Sequence, residues 1–222
     1  MLLHSLDVPV AVSMLELAKK SEQPFQQFMC YWTAFNNIYA IVADKTGLSV
    51  SIKKDQDGTP KTETIANVKI VKVDAPGERK QIDSAFNHFS DDLKDNLIRH
   101  ENIRFFVNRS PEWQGRKIEF DSFGQRLNGV LNVGYTIHAD YPVWSPIDKN
   151  LYERYMKDPQ DMKEPQISSA RKELAKQILE VLYTVRNNIV HGGKQADDAN
   201  SHEVVEKAVP LLSMIVSHFF AA

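Results

Sequence analysis

Apolar side chains recur at spacings of three and four residues over long stretches of this chain, and this periodicity restricts its fold more than any other feature. In residues 24–43 the stripe consists of Phe25, Phe28, Trp32, Phe35, Tyr39 and Val42. Similar stripes lie in residues 79–100, 168–190 and 201–220. Because positions three and four apart share one face of an α-helix, each stripe predicts an amphipathic helix. We therefore expect an all-α protein whose main helices pack as a bundle.

The remaining segments are predicted with less regular structure. Shorter helices are expected near residues 10–20 and 147–157. In residues 48–74, the Asp57-Gly58 pair and a run of β-branched residues favour an irregular excursion or a small hairpin. The chain has 222 residues, enough to enclose one sizeable core. We expect a single domain over residues 1–222 that carries this excursion.

Residues 101–146 are expected to be rich in loops. Arginines alternate there with phenylalanine and tryptophan residues. One interpretation is a surface on which the bases of single-stranded nucleic acid stack. The other is that the aromatic side chains belong to the core and the arginines are solvated.

Charge and cysteine content exclude several classes of protein. A formal net charge of -2 argues against a broad basic surface for nucleic acid but leaves room for a focused site. The single cysteine, Cys30, excludes an internal disulfide, makes a thiolate zinc site improbable, and is expected to be buried. No apolar run approaches the roughly 18 residues of a membrane span, and residues 1–7 lack the features of a signal peptide. We expect no membrane association and a cytoplasmic protein.

The segment with the most chemical information covers residues 186–194 and reads RNNIVHGGK. It brings the guanidinium of Arg186, the amides of Asn187 and Asn188 and the imidazole of His191 to the predicted end of a helix. An imidazole that titrates near neutrality can act as a general acid or base. An arginine can hold a phosphate and stabilise the charge that builds on it. The alternative is a helix-end salt bridge or cap followed by a chance histidine.

These side chains point to cleavage of RNA, which carries its own nucleophile in the 2′-hydroxyl group. In this hypothesis His191 moves protons, Arg186 holds the phosphate and Asn187 orients the pair. We expect neither a metal ion nor a cofactor, because the segment has no cluster of Asp, Glu or Cys at metal-binding spacing.

The same segment resembles the Arg-x4-6-His signature of the HEPN superfamily, in which a polar residue such as Asn187 usually follows the arginine. Residues 31–39, which read YWTAFNNIY, are similar to the aromatic helix of the Apea-like HEPN branch. So are LNV at residues 131–133 and PVWSPID at residues 142–148. The resemblance implies an antiparallel helical bundle that forms a homodimer and brings two Arg/His motifs into one cleft.

Many members of that superfamily are ribonucleases of toxin–antitoxin, abortive-infection and antiviral systems, so the resemblance implies RNA as substrate and an antitoxin or regulatory protein as a possible partner. A non-catalytic HEPN protein that binds RNA or nucleotide, or acts as a scaffold, is the alternative. Toxins paired with nucleotidyltransferase antitoxins carry a tyrosine two residues after the histidine. Gly193 stands at that position here, which argues against control by modification of such a tyrosine.

Further RNA contacts are expected from Lys194, Asn188 and Asn36. For Asn36 we consider two roles, one in orienting Arg186 or the scissile phosphate and one in bonding a nearby backbone carbonyl. Lys194 could equally be a solvated side chain. Five of the histidines outside the motif show no metal-ligand spacing and are interpreted as surface or core residues; they are His88, His100, His138, His202 and His218.

Overall fold

The structure is a computed structural model that describes residues 8–48, 51–65, 68–71, 73–74, 76–108, 112–113, 116–117, 147–157, 163–190 and 199–220. The described residues form eight α-helices. They are α1 (Pro9–Lys20), α2 (Pro24–Lys45), α3 (Glu78–Phe86), α4 (Asp91–Arg99), α5 (Ile103–Val107), α6 (Lys149–Lys157), α7 (Glu164–Val190) and α8 (Ala199–His218). The prediction of an all-α fold is confirmed.

Helix α2 is the central element of the described structure. Pro24 occupies its first turn, where the missing N–H costs no hydrogen bond. At its other end Gly47 adopts a φ of 70°, and the Leu48 N–H donates to the Ala43 carbonyl at 2.9 Å. This is the geometry that satisfies carbonyls at a helix end, and it favours glycine because of the positive φ. Helix α2 packs against α1, α3 and α8.

The second group of contacts surrounds α7. Helices α4 and α6 pack on α7, and α8 contacts both α4 and α7. The stripes predicted from the sequence form the core between these helices. The largest fully enclosed side chains are Trp32, Tyr39, Tyr155, Phe28, Phe35, Phe106 and Phe219. Cys30 is buried as expected, and burial raises the pKa of its thiol.

The prediction of one helix over residues 79–100 is wrong, because the structure has two helices there. Helix α3 ends at Phe86 and α4 begins at Asp91. Between them the Ser90 side chain accepts a hydrogen bond from the Leu93 N–H at 3.1 Å, which caps α4. The helices predicted near 10–20, 24–43, 147–157, 168–190 and 201–220 are confirmed as α1, α2, α6, α7 and α8.

Helix α7 begins earlier than predicted. Glu164 and Pro165 suit the first turn of a helix. The Gln166 side chain also accepts a hydrogen bond from the Lys163 N–H at 3.1 Å, as the third residue of a capping box does.

The segment between α2 and α3 contains short antiparallel strands, as the sequence suggested. Strand β1 (Ser51–Ile52) pairs with β4 (Val73–Asp74), and β2 (Thr62–Ile65) pairs with β3 (Val68–Val71). The predicted turn is present, with Gly58 at a φ of 85° and its N–H donating to the Asp55 carbonyl at 2.9 Å.

In the predicted loop-rich segment, the described residues form α5 and one further pairing of two strands. These strands are β5 (Glu112–Trp113) and β6 (Arg116–Lys117). Residues 109–111, 114–115 and 118–146, which include the two stretches that resemble the Apea-like branch at 131–133 and 142–146, lie outside the described residues.

Candidate active site at the end of helix α7

The first part of the Arg/His segment lies on the last turn of α7. Arg186, Asn187 and Asn188 are helical and partly buried, and the helix ends at Val190. His191 and Lys194 lie outside the described residues. The structure therefore describes how the arginine of the motif is held and leaves the histidine of the motif as a prediction.

The guanidinium of Arg186 is held from two sides. Its Nη1 donates a hydrogen bond to the Asn187 side-chain oxygen at 2.8 Å. Its Nη2 lies 3.6 Å from Oε1 of Glu78, and the two side chains are 22% and 29% exposed. The Nε atom is buried and has no hydrogen-bond partner among the described residues. The side chain is thus fixed in orientation while part of it still faces solvent.

Glu78, the first residue of α3, is the acceptor for several donors at once. The Tyr39 hydroxyl donates to Oε1 at 2.7 Å and the Tyr183 hydroxyl donates to Oε2 at 3.3 Å. Burial, followed by the hydrogen bond to Glu78, raises the pKa of Tyr39 well above its ordinary value. The Tyr39 phenol therefore acts as a donor at neutral pH, and the two hydroxyl groups orient the carboxylate toward Arg186.

Sequence reasoning missed Glu78. Its two hydrogen-bond donors, Tyr39 and Tyr183, lie 39 and 105 positions from Glu78 along the chain, so no local pattern connects them with it. One signal was present: Tyr39 lies on the buried stripe of α2, and a buried phenol needs a partner for its hydroxyl group.

A row of solvent-exposed ion pairs also links α3 to α7. Arg79 Nη2 lies 3.0 Å from Glu180 Oε2, and the Arg79 guanidinium lies 5.2 Å from the centre of the Tyr183 ring. Further along, Lys176 Nζ lies 3.4 Å from Asp83 Oδ1. These links join the helix that carries Glu78 to the helix that carries Arg186.

A series of packed aromatic rings connects Tyr183 on α7 to helix α2. The Trp32 ring lies 6.0 Å from Tyr183 and 5.7 Å from Phe35, and Phe35 lies 5.3 Å from Tyr39. All but Tyr183 are buried in the core. Close packing of these rings restricts both tyrosines and so fixes the hydroxyl groups that hold Glu78.

Asn36 is exposed on α2 and, within the described part of the chain, bonds neither Arg186 nor a backbone carbonyl. Its neighbour Asn37 has the structural role, because its side-chain oxygen accepts a hydrogen bond from the Ala11 N–H at 3.3 Å. Asn37 thereby satisfies a donor in the first turn of α1.

Histidines outside the motif make structural contacts where they are described. His100 Nδ1 accepts a hydrogen bond from the Asn102 N–H at 3.2 Å, and His218 lies 3.4 Å from the His88 carbonyl. Burial lowers the pKa of His88. His202 lies 3.9 Å from Glu206 on α8. His138 lies outside the described residues.

Among the residues with described positions, no three His, Cys, Asp or Glu side chains lie together in a way that could hold a metal ion. Over the same ranges, no helix has both the length and the apolar character needed to cross a membrane.

Comparison of the chain with models of protein families, with characterised proteins and with solved structures gives no match in any of the three. The resemblance to the HEPN superfamily therefore depends on the sequence segments themselves.

Proposed function

We propose that this chain is a metal-independent RNA endonuclease of HEPN type that acts in the cytoplasm in a toxin–antitoxin or antiviral defence system. The observation that carries the proposal is the fixed guanidinium of Arg186 on the last turn of α7, directly before the segment that contains His191. Fixed donors are effective in catalysis because they need no reorganisation when charge develops on the substrate.

The reaction is an internal transesterification. The 2′-oxygen forms a bond to phosphorus while the bond from phosphorus to the 5′-oxygen breaks. The proton of the 2′-hydroxyl passes to an imidazole, and an imidazolium donates a proton to the leaving 5′-oxygen. His191, from one or both subunits of a homodimer, supplies these groups.

Arg186 binds the phosphate and stabilises its charge in the transition state. The hydrogen bond from Arg186 to Asn187 supports the orienting role that we assign to Asn187. Lys194, Asn188 and Asn36 are proposed to contact RNA further from the cut, and an antitoxin or regulatory protein is proposed to restrain the activity.

A non-catalytic protein that binds RNA or nucleotide, or acts as a scaffold, is the second candidate. The ion pair between Arg186 and Glu78 favours it, because an arginine paired with a carboxylate can be structural. The two candidates differ in whether pure protein cuts RNA.

The deciding experiment incubates pure protein with total RNA and with tRNA in EDTA. We expect cleavage that leaves 2′,3′-cyclic phosphate or 3′-phosphate and 5′-hydroxyl ends. Arg186→Ala and His191→Ala should each lower the rate by about 10²–10⁴-fold, since each removes a charge-stabilising or proton-transfer group.

The free energy of unfolding of His191→Ala should remain within about 1 kcal/mol of the wild-type value. Its loss of activity would then not be caused by unfolding. RNA with 2′-deoxy substitution at the cut site should be inert. Cleavage that requires Mg²⁺ or leaves 5′-phosphate ends would contradict the mechanism, and binding without any cleavage would favour the second candidate.

A further inference from the structure

We infer that Glu78 is the positioning residue for Arg186, holding the guanidinium where RNA phosphate binds; this inference rests on the function proposed above for Arg186. Glu78 does not belong to the Arg/His segment and lies on a different helix.

The carboxylate of Glu78 is oriented independently of the arginine. Tyr39 donates to Oε1 at 2.7 Å and Tyr183 to Oε2 at 3.3 Å, so two phenols on two helices fix both oxygens. The Nη2 atom of Arg186 then lies 3.6 Å from Oε1. A carboxylate fixed in this way sets the position of the flexible arginine side chain, and not the reverse.

Among the described residues, the guanidinium keeps N–H donors that a ligand could use. It carries five N–H donors. The described residues take one of them in the hydrogen bond to Asn187, and the contact with Glu78 at 3.6 Å is an ion pair longer than a hydrogen bond. Phosphate can therefore bind an arginine that is already oriented.

The same carboxylate repels the phosphate that it helps to bind. Glu78 is 29% exposed, and its Oε1 atom lies 3.6 Å from Nη2 of Arg186. Its negative charge weakens binding of RNA in the ground state, while its placement of Arg186 favours the transition state. Loss of the charge should thus change substrate binding and turnover in opposite directions.

The test is single-turnover cleavage of RNA by Glu78→Gln over a range of enzyme concentrations, beside the matched control Glu180→Gln. Glu180 carries the same charge on the same row of ion pairs, but its partner is Arg79. For Glu78→Gln we expect the half-saturating concentration to fall about 3–10-fold, since a repulsive charge is removed. The maximal rate should fall about 10–100-fold, since displacement of a catalytic group by about 1 Å costs this much.

A purely structural role would give a different result. It would lower the fraction of active protein and leave the half-saturating concentration unchanged. Glu180→Gln should resemble the wild type in both quantities. Wild-type values of both quantities in Glu78→Gln overturn the inference and leave the proposed nuclease intact.

Binding of a fully 2′-O-methylated RNA, which lacks the nucleophile, separates the two proposals. If the wild type binds this RNA without cleaving ordinary RNA, and Glu78→Gln binds it about 3–10-fold more tightly, the nuclease is wrong while Glu78 is still placed beside the phosphate that Arg186 binds. Equal binding of this RNA by the two proteins overturns the inference as well. Protein that neither binds nor cleaves RNA overturns both.

If Glu78→Gln does not fold, Glu78→Asp takes its place. It keeps the charge but withdraws the carboxylate by one carbon, so the half-saturating concentration should stay near the wild-type value and the maximal rate should fall. A wild-type rate in Glu78→Asp overturns the inference.

Discussion

At the scale of one residue, the ion pair of Arg186 with Glu78 matters more for the position of the guanidinium than for the stability of the fold. Its side chain and that of Glu78 are 22% and 29% exposed, so neither loses all of its hydration. Ion pairs with this much solvent contact contribute about 1 kcal/mol or less, whereas fully buried pairs carry desolvation costs of several kcal/mol. The pair therefore adds little to folding. Its larger effect is to hold one guanidinium in one orientation.

Tyr39 makes the same cluster sensitive to alkaline pH. Its pKa is raised in the folded protein by burial and by the hydrogen bond to Glu78, above the value of 10.0 that we take for the unfolded chain. Above about pH 10 the unfolded chain loses this proton and the folded protein keeps it. The contribution of Tyr39 to the free energy of unfolding should be complete below pH 9 and fall above pH 10, by up to about 1.4 kcal/mol per pH unit.

Urea unfolding of the wild type and Tyr39→Phe at pH 8 to 11 measures this effect. At pH 8 the variant should be less stable by about 1–3 kcal/mol, because it loses a hydrogen bond to a charged group. The difference should narrow above pH 10. Burial also raises the pKa of Tyr155, so the comparison between the two proteins, not the wild-type curve alone, isolates Tyr39. A constant difference from pH 8 to 11 would contradict the prediction.

At the scale of elements, periodicity predicted the helices and failed at a helix end. The stripe of Ile82, Phe86, Phe89, Leu93 and Leu97 keeps its spacing across the break between α3 and α4, and all five residues are buried. The spacing of buried apolar residues is therefore the same for one continuous helix and for two helices, so it cannot reveal the break. The signal for the break was the serine at position 90 followed by two aspartates, a typical helix start.

Ser90→Ala tests that cap directly. The variant loses the hydrogen bond from the Leu93 N–H, which should cost about 0.5–2 kcal/mol of unfolding free energy. Ser90→Asp keeps an acceptor at the same position and should remain near the wild type. As a matched control, Ser169→Ala removes an exposed hydroxyl from within α7 and should change stability by less than about 0.5 kcal/mol. Equal effects of the two alanine variants in urea unfolding would show that Ser90 has no special role.

The site was predicted less completely than the helices, for a physical reason. Arg186 and Asn187 are neighbours in the sequence, and their hydrogen bond follows from that proximity. Glu78 reaches Arg186 only because α3 packs against α2 and the Tyr183 hydroxyl on α7 bonds the Glu78 carboxylate. Such a contact is a property of the tertiary structure, and a single sequence contains no local pattern that reports it.

At the scale of the whole molecule, three of the described helices bring buried and partly exposed polar side chains together beside the apolar core. Helix α2 contributes Tyr39, α3 contributes Glu78, and α7 contributes Tyr183 and Arg186. Each of these helices also buries apolar residues in the common core. Packing of these helices thus brings three segments that are distant in sequence together and orients the Arg186 guanidinium. Preorganised sites require such fixed positions.

The proposed homodimer can be tested at the end of α7. Val190 is 49% exposed at the last position of that helix, beside the partly buried Ile189. If two copies meet there, a two-fold interface buries the Val190 side chain of both copies. Because Val190→Gln removes this apolar burial from both sides, it should weaken association by about 10–30-fold. Val10 provides a matched control, because it is also 49% exposed but lies on α1.

Sedimentation equilibrium of Val190→Gln, Val10→Gln and the wild type across micromolar concentrations gives the dissociation constants. We expect Val10→Gln to match the wild type. Because the proposed cleft needs the Arg/His motif of both copies, cleavage per molecule should decrease on dilution, and Val190→Gln should show this loss at a higher concentration than the wild type. A monomeric wild type that cleaves RNA with unchanged specific activity on dilution would contradict a composite site and would assign the chemistry to the Arg186 and His191 of a single chain.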